Sequence, residues 1–254
     1  MKTKYILTPY FLDQPVHELK ELAQSDWLVN ERQLPDADAQ SRMSILHKQI
    51  AKNVSEAIAA GFVPVSIAGD CCTAIGVMAG LQHAGIKPLF IWFDAHGDFN
   101  TWETTPSGFL GGMPLAMIAG LGEQTMVEAV GLEPVDHEQI ILTDGRDLDP
   151  GERDLLAGSK VLHMSDPMAL LEYDFSDRPI YVHFDTDIVN PLDAPAMNYV
   201  AEGGPRAEEL GKAFRYIAQT GLIKAVSVSS WNPELDEDGR SKETILNLLQ
   251  ELIS

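Results

Sequence analysis

The sequence predicts an α/β protein built on a parallel sheet that helices cover on both faces. Short apolar runs of strand length alternate with amphipathic stretches of helical spacing through six or seven cycles. Of the 254 residues, 45% are hydrophobic and 22% are charged, which is typical of a folded protein with a large core. No repeat or long glycine/serine linker divides the chain, so we expect a single domain over residues 1–254.

The elements follow from local patterns. Runs of apolar and β-branched residues predict strands at 5–8, 63–68, 88–93, 139–142, 161–164, 179–184 and 222–228. Helical spacing and stop signals predict helices at 16–22, 41–60, 74–83, 152–157, 167–173, 207–219 and 242–252. Ligands of parallel sheets bind beyond the carboxyl ends of the strands, so the polar residues just past those ends are candidate site residues.

The charge balance narrows the choice of partners. Lys and Arg number 18 and Asp and Glu number 38, which gives a net charge of −20. This charge disfavours nucleic acid and favours cationic ligands and divalent metals. No apolar run approaches the roughly 18 residues of a membrane span, and the first apolar stretch is too short for a signal peptide. The only cysteines, Cys71 and Cys72, are adjacent, which favours a reducing, cytoplasmic location.

Two predicted strands are followed directly by acidic motifs. Their candidate ligands are Asp94, His96 and Asp98 in the first motif and Asp185 and Asp187 in the second. Alternate residues of an extended chain share a face, so the members of each motif can point together. This oxygen-rich set suits Mn²⁺ better than structural zinc, and shared carboxylates suit two metals about 4 Å apart that activate a bridging water. Each motif alone is also typical of a turn that caps a helix or faces solvent.

Two further predicted strand ends carry residues that suit helix capping as well as ligand binding. Asp70 is placed to cap the helix that follows it. Asp149 precedes Pro150, a residue that favours the first helical turn. For Asp149 and Glu152, capping and ligand contact both stay open at this point.

The motifs, in this order, resemble those of the arginase/agmatinase/formimidoylglutamase family of ureohydrolases. The stretch DAHGDFNT at 94–101 is similar to the family motif DAHxDxxT, and HFDTDIVNP at 183–191 is similar to SFDxDxxDP. The stretches RDLDPGE at 146–152, AGDCC at 68–72 and SWNP at 230–233 resemble the RDxDxGE, GGDHS and EVNP segments. The chain is identified as a divergent member.

The resemblance implies a three-layer α/β/α sandwich around a mostly parallel sheet, which the deacetylases share. It also implies a site with two manganese ions that hydrolyses a guanidinium carbon–nitrogen bond. By position, Asp94 and Asp185 would bridge the metals, and His96 and Asp187 would complete the second site. Asp98 would bind the first metal and, as the catalytic residue, orient or deprotonate the attacking water.

Four positions depart from the family pattern. Cys71 replaces a histidine ligand of the first metal site; a thiolate favours zinc or iron over manganese, and a small buried core residue is the other interpretation. Ser230 replaces the glutamate that binds the guanidinium group. Gly111 replaces a histidine near the reaction centre, and Phe109 replaces an amide that contacts the amino-acid end of the substrate in arginases.

The other candidate substrate contacts are Asn100, Ser107, Asp149 and Glu152, together with Ser230. We expect a small cationic or amino-acid-like substrate, and the resemblance also allows a homo-oligomer. The leading hypothesis is a metal-dependent hydrolase of a linear amidine or guanidino compound, acting through a metal-activated hydroxide. The alternatives are a catalytically lapsed family member that binds metal or a cationic ligand, and a single-metal amide hydrolase of the deacetylase type.

His183 and Trp92 have the same strand parity as the aspartates that follow them. We expect Trp92 to pack beneath the cluster. For His183, a packed core histidine and a residue that orients a ligand carboxylate are both open.

Overall fold

The computed structural model describes the whole chain, residues 1–254. The strands are β1 (Thr3–Thr8), β2 (Tyr10–Phe11), β3 (Gln14–Pro15), β4 (Leu28–Val29), β5 (Val63–Ala68), β6 (Leu89–His96), β7 (Ile140–Asp147), β8 (Leu162–Met164), β9 (Ile180–Asp185) and β10 (Ile223–Ser229). The α-helices are α1 (Ala39–Ala59), α2 (Ala74–His83), α3 (Pro114–Ile118), α4 (Thr125–Val130), α5 (Pro150–Ala157), α6 (Ala207–Gln219) and α7 (Arg240–Ile253). None of these helices combines the length and the apolar character that crossing a membrane requires.

Eight strands form one sheet in the order β4-β1-β5-β10-β9-β6-β7-β8, and every pairing in it is parallel. Strands β2 and β3 form a separate antiparallel pair. Because all the central strands run the same way, their carboxyl ends meet at one edge of the sheet. The predicted candidate residues therefore come from several strands to the same edge.

Helices cover both faces of the sheet, as the continuous apolar strands require. Neighbouring strand residues alternate between two buried clusters: Trp92 belongs to the cluster that contains residues of α1 to α5, and Phe93 to the cluster that contains residues of α6 and α7. This alternation is the period of two expected for a strand that is buried on both sides. The three-layer α/β/α arrangement predicted from the sequence is confirmed.

Several element bounds differ from the predictions for identifiable reasons. Strand β6 continues past the predicted end at 93 and β7 past the predicted end at 142, because parallel pairing extends through Asp94 with Asp144 and His96 with Asp147. The predicted helices at 16–22 and 167–173 are 3-10 helices, at His17–Leu22 and Pro167–Glu172. Both segments lie in connections between strands, a position in which 3-10 turns are frequent. The sequence analysis missed β4, the β2–β3 pair, α3 and α4.

Candidate metal centre

A cavity of about 400 Å³ lies at the carboxyl edge of the sheet. Every residue predicted for the site lines it: Cys71, Asp94, His96, Asp98, Asn100, Ser107, Asp149, Glu152, Asp185, Asp187 and Ser230. The structure thus brings the predicted residues together, while the role of each stays a prediction. No lysine or arginine lines the cavity.

The first acidic motif begins on β6, which carries Asp94 and His96 on one face. Trp92 Nε1 donates to Asp94 Oδ2 at 2.8 Å, so the tryptophan does pack beneath the cluster. His96 Nδ1 lies 3.0 Å from Asp187 Oδ2 and 3.5 Å from Asp94 Oδ1. Burial lowers the pKa of His96, but hydrogen bonds to Asp187 and Asp94 outweigh it and raise that pKa to about 12. Asp94, His96 and Asp187 form one group whose ligand atoms lie within 4.8 Å of one another.

Asp98 lines the cavity, but it lies in a turn and not in the extended conformation that the sequence predicts. Its φ is +48°, so the chain has left the extended conformation and the predicted strand parity does not apply there. Its backbone oxygen accepts from the backbone N–H groups of Leu115 and Ala116 at 3.0 and 3.2 Å, which fixes the turn against α3. Burial, with the charges of Asp94 and Asp185 next, raises the pKa of Asp98 well above its ordinary value.

The carboxylate of Asp98 is the clearest sign that these residues fit a metal ion. Its Oδ2 is buried and has no hydrogen-bond partner in the protein. Leaving a buried carboxylate oxygen without a donor is costly, and a bound cation would remove that cost. Asp98 forms a second group with Cys71 and Asp94, whose ligand atoms also lie within 4.8 Å of one another. The donor sets of both groups therefore suit divalent metals.

The second acidic motif is not extended throughout. Asp185 ends β9, but Asp187 lies in a single 3-10 turn, Thr186–Ile188, so the expectation that both share the face of an extended strand is wrong. The turn is closed by the Asp187 backbone N–H, which donates to Asp185 Oδ1 at 3.0 Å. The nearby Arg146 pairs with Asp144 and donates to the backbone oxygen of Asp187 at 3.2 Å. It leaves the carboxylate of Asp187 free of any arginine ion pair.

Three protein groups converge on one oxygen of Asp185. Asp185 Oδ2 accepts from the Cys71 thiol at 2.5 Å, the Ser230 hydroxyl at 2.5 Å and the Ser229 hydroxyl at 3.0 Å. Burial, followed by the charge of Asp185, raises the pKa of the Cys71 thiol well above its ordinary value. In this arrangement Cys71 is a protonated donor, and the Ser230 hydroxyl is turned to Asp185.

His183 is fully buried, and its ring stacks on that of Trp92 with a centroid distance of 3.8 Å. Its Nδ1 lies 2.7 Å from Ser227 Oγ, and burial lowers its pKa to about 4. These contacts favour the packed core histidine. The ring also belongs to a third close group, with Cys71 and Asp185.

The predicted substrate contacts are largely bonded to one another. Asn100 Nδ2 donates to Asp149 Oδ2 at 3.0 Å, and Asn100 Oδ1 accepts from Thr104 Oγ1 at 2.9 Å. Glu152 Oε2 accepts from the Asp149 backbone N–H at 3.1 Å, at the start of α5. The capping interpretation of Glu152 therefore has direct geometric support, although its carboxylate also lines the cavity.

Sequence reasoning missed part of the cavity wall. Phe11, Asp147 and Tyr199 line the cavity and were not selected as candidates. Phe11 follows β1 closely, but it is apolar, and the strand-end reasoning selects only polar residues. Tyr199 lies in the long connection between β9 and α6, where no sequence pattern points to the site.

These observations define a class of protein: a parallel α/β chain with a buried, metal-fitting carboxylate centre at the carboxyl edge of its sheet. The chain belongs to the arginase family, a family of metal-dependent hydrolases, because the sequence model described as "Arginase family" matches residues 11–254. The family predicted from the motifs is thereby confirmed.

Individual relatives agree with this membership. The arginase of Bacillus subtilis (strain 168) is 31% identical over 232 residues, covering 86% of this chain and 78% of that protein. The crystal structure of arginase from Bacillus subtilis superposes with a TM-score of 0.84 at 26% identity, covering 100% of this chain and 99% of the other. An arginase of Entamoeba histolytica in complex with L-ornithine has a TM-score of 0.84 at 19% identity, covering 100% of both chains, and supports the fold alone.

Proposed function

We propose that this chain is a metal-dependent hydrolase that cleaves a carbon–nitrogen bond of a linear amidine or guanidino compound. The observation that carries the proposal is the unpartnered, buried Oδ2 of Asp98 within a set of carboxylates that no lysine or arginine neutralises. Membership of the arginase family supports this reaction class. The proposed substrate is small and cationic, in keeping with the acidic cavity.

The proposed ligands are those of the two close groups, with Asp94 shared between them and Asp185 beside them. The proposed metal is manganese, with two ions per chain; zinc is the alternative if the Cys71 thiol loses its proton and binds. When bound, the ions would make a water more acidic and polarise the trigonal carbon of the substrate.

The side chains around this centre have distinct proposed tasks. Asp98 orients the attacking water and takes up its proton, because its carboxylate is buried in the cavity and its Oδ2 has no competing hydrogen-bond donor in the protein. Trp92 holds Asp94 in place through its 2.8 Å hydrogen bond. His96, Asp187 and Asp185 complete the set, and Asn100, Ser107 and Asp149 border the part of the cavity that takes the rest of the substrate.

One observation favours a second candidate. The three donors on Asp185 Oδ2 occupy the lone pairs that a bridging ligand would use. A centre that holds one metal on Asp94, His96 and Asp187 is compatible with that arrangement. Such a centre would serve a single-metal amide hydrolase, or a lapsed family member that binds metal without turnover.

Metal analysis of the purified and metal-loaded protein separates these candidates. Two manganese ions per chain support the first proposal, one zinc ion supports the second, and no bound metal after loading contradicts both. Release of urea or ammonia is then measured with guanidino acids, guanidino amines and formimino compounds. Asp98→Asn should abolish release, whereas Asp154→Asn, at an exposed aspartate on α5, should not.

The domain organisation, the location and the oligomeric state of the chain are also proposals. We propose that residues 1–254 act as a single catalytic domain, in keeping with the family match over residues 11–254. Two free cysteines accord with the proposed cytoplasmic location. Light scattering of the purified chain tests the proposed homo-oligomer.

A further inference from the structure

An aromatic side chain fills space that the cavity would otherwise offer to residue 111. A Cβ atom built on Gly111 would lie 2.5 Å from Cζ of Phe109, a separation that real Cβ atoms do not adopt. The Phe109 ring can therefore occupy its present position only because residue 111 has no side chain. Together Phe109 and Gly111 make this part of the cavity wall apolar.

The Phe109 ring is the middle of an aromatic wall. Its centroid lies 6.4 Å from that of Phe11, in a stacked arrangement, and 5.0 Å from that of Tyr199. All three rings line the cavity, and Tyr199 is 51% exposed. Their accessible faces offer apolar area that a ligand can bury, and rings at these separations also stabilise a further aromatic ring.

The same cavity disfavours the binding of an anionic ligand. Eight of its lining residues are aspartate or glutamate, and none is lysine or arginine. The one imidazole there, that of His96, is already bonded to Asp187 at 3.0 Å. A carboxylate on the tail of the ligand, away from the metal ligands, would therefore lose its water near the carboxylate of Asp149, and no lysine or arginine of the cavity could pair with it.

The neutral polar groups near the wall do not replace such a partner. Asn100 uses both ends of its amide within the protein, on Asp149 and Thr104. Ser107 Oγ accepts from the Phe109 backbone N–H at 3.2 Å, which ties this hydroxyl to the wall itself. The contacts expected for the amino-acid end of a substrate are thus already engaged.

We propose that the substrate carries no carboxylate and that its amidine or guanidine group is joined to an uncharged apolar tail, best an aryl ring, which packs against Phe11, Phe109 and Tyr199. The inference rests on the proposed function, because the metal ligands fix which end of the substrate enters first. The cavity of about 400 Å³ is within the usual range for a small-molecule site. An ammonium tail is attracted by the acidic residues and by the ring faces, but it is strongly hydrated and buries much less apolar area against the three rings than an aryl tail does, so we expect the aryl tail to bind more tightly.

The test compares guanidines that differ only in the tail, on the metal-loaded full chain. The probes are 2-phenylethylguanidine, butylguanidine, 4-aminobutylguanidine and 4-guanidinobutanoate. Calorimetry gives the dissociation constant of each, and urea release gives its turnover. The phenyl compound should bind at least roughly tenfold more tightly than the carboxylate compound, because its ring is buried against the wall and it carries no unpaired charge.

Two variants probe the wall itself, and a third is the control. Phe109→Ala removes the ring, and Gly111→Ala displaces it, so each should lower the preference for the phenyl tail roughly tenfold. Phe62→Ala removes a partly exposed phenylalanine outside the cavity and should leave the preference unchanged. Because the readout is a ratio of affinities, a partial loss of folded protein does not imitate the effect.

The outcomes separate the inference from the proposed function. Tighter binding and hydrolysis of the carboxylate or ammonium compound would overturn the inference and leave the hydrolase proposal intact. Equal affinities along the series, or equal effects of Phe109→Ala and Phe62→Ala, would also overturn it. No binding and no urea release with any guanidine would overturn both.

Discussion

Replacing Glu152 with glutamine should change how the stability of this chain depends on pH. The Glu152 side chain is 2% exposed, and its Oε1 accepts from the Phe99 backbone N–H at 2.7 Å. Burial is the largest influence on its pKa and raises it from 4.5 to about 7, against the two backbone hydrogen bonds. Glutamine has the same shape and keeps Oε1 as an acceptor, but it carries no charge.

The sign follows from proton linkage. Between pH 4.5 and about 7 the unfolded chain releases the Glu152 proton while the folded chain keeps it, so the free energy of unfolding falls as pH rises. At roughly 1.4 kcal/mol for each pKa unit, the full loss is about 3 kcal/mol above pH 7. Glutamine removes this loss but gives up the hydrogen bond from Asp149, worth about 1 kcal/mol.

Glu152→Gln should therefore lie within about 1 kcal/mol of the parent at pH 5 and be about 2 kcal/mol more stable at pH 8. Urea unfolding in the presence of a chelator, followed by circular dichroism from pH 5 to pH 8, measures both values. Glu237→Gln is the matched control, because Glu237 is exposed to solvent. Its free energy of unfolding should follow that of the parent at every pH. A constant difference between Glu152→Gln and the parent across this range would refute the reasoning.

Three further changes address the centre directly. Asp98→Asn should stabilise the metal-free chain, because the buried Oδ2 of Asp98 has no hydrogen-bond donor. It should also remove the rise in melting temperature that we expect manganese to cause in the parent, and scanning fluorimetry with and without manganese checks both. Trp92→Phe should lower the free energy of unfolding by about 2 kcal/mol, because it removes a hydrogen bond to the carboxylate of Asp94; a loss in urea unfolding below about 0.5 kcal/mol would contradict this. Cys71→Ser should shift the ratio of zinc to manganese affinity toward manganese, and an unchanged ratio in competition titrations would argue against Cys71 as a ligand.

The fold was predictable where one signal dominates. The bounds of β5, α2 and α6 match the predicted ranges, because continuous apolar runs and helical spacing identify buried strands and helices well. The missed elements have weaker signals. Strand β4 is two residues long and pairs only at the edge through Ile6 and Leu7. The polar extensions of β6 and β7 depend on pairing with each other, which hydrophobicity does not encode.

The positions of the candidate site were predictable because parallel strands bring their carboxyl ends to one edge. The local geometry was not, since it depends on contacts distant in sequence. The positive φ of Asp98 is held by the start of α3, and the orientation of Ser230 is set by Asp185, 45 residues away along the chain. Tyr199 reaches the cavity from a long connection whose path no periodic pattern reveals.

The four positions that differ from the family motifs form two pairs, and the two residues of each pair act on the same place in the site. Cys71 and Ser230, which stand where the family has a histidine and a glutamate, both donate to Asp185 Oδ2 at 2.5 Å. Phe109 and Gly111 share one volume, because the ring occupies the place where a side chain at 111 would begin. The effects of substitutions at residues that share a contact are not additive. If only one residue of such a pair is changed to the family residue, the other still makes its present contact. Manganese affinity should therefore rise more in the double variant Cys71→His with Ser230→Glu than the two single variants predict by addition, and an additive result would separate the two changes.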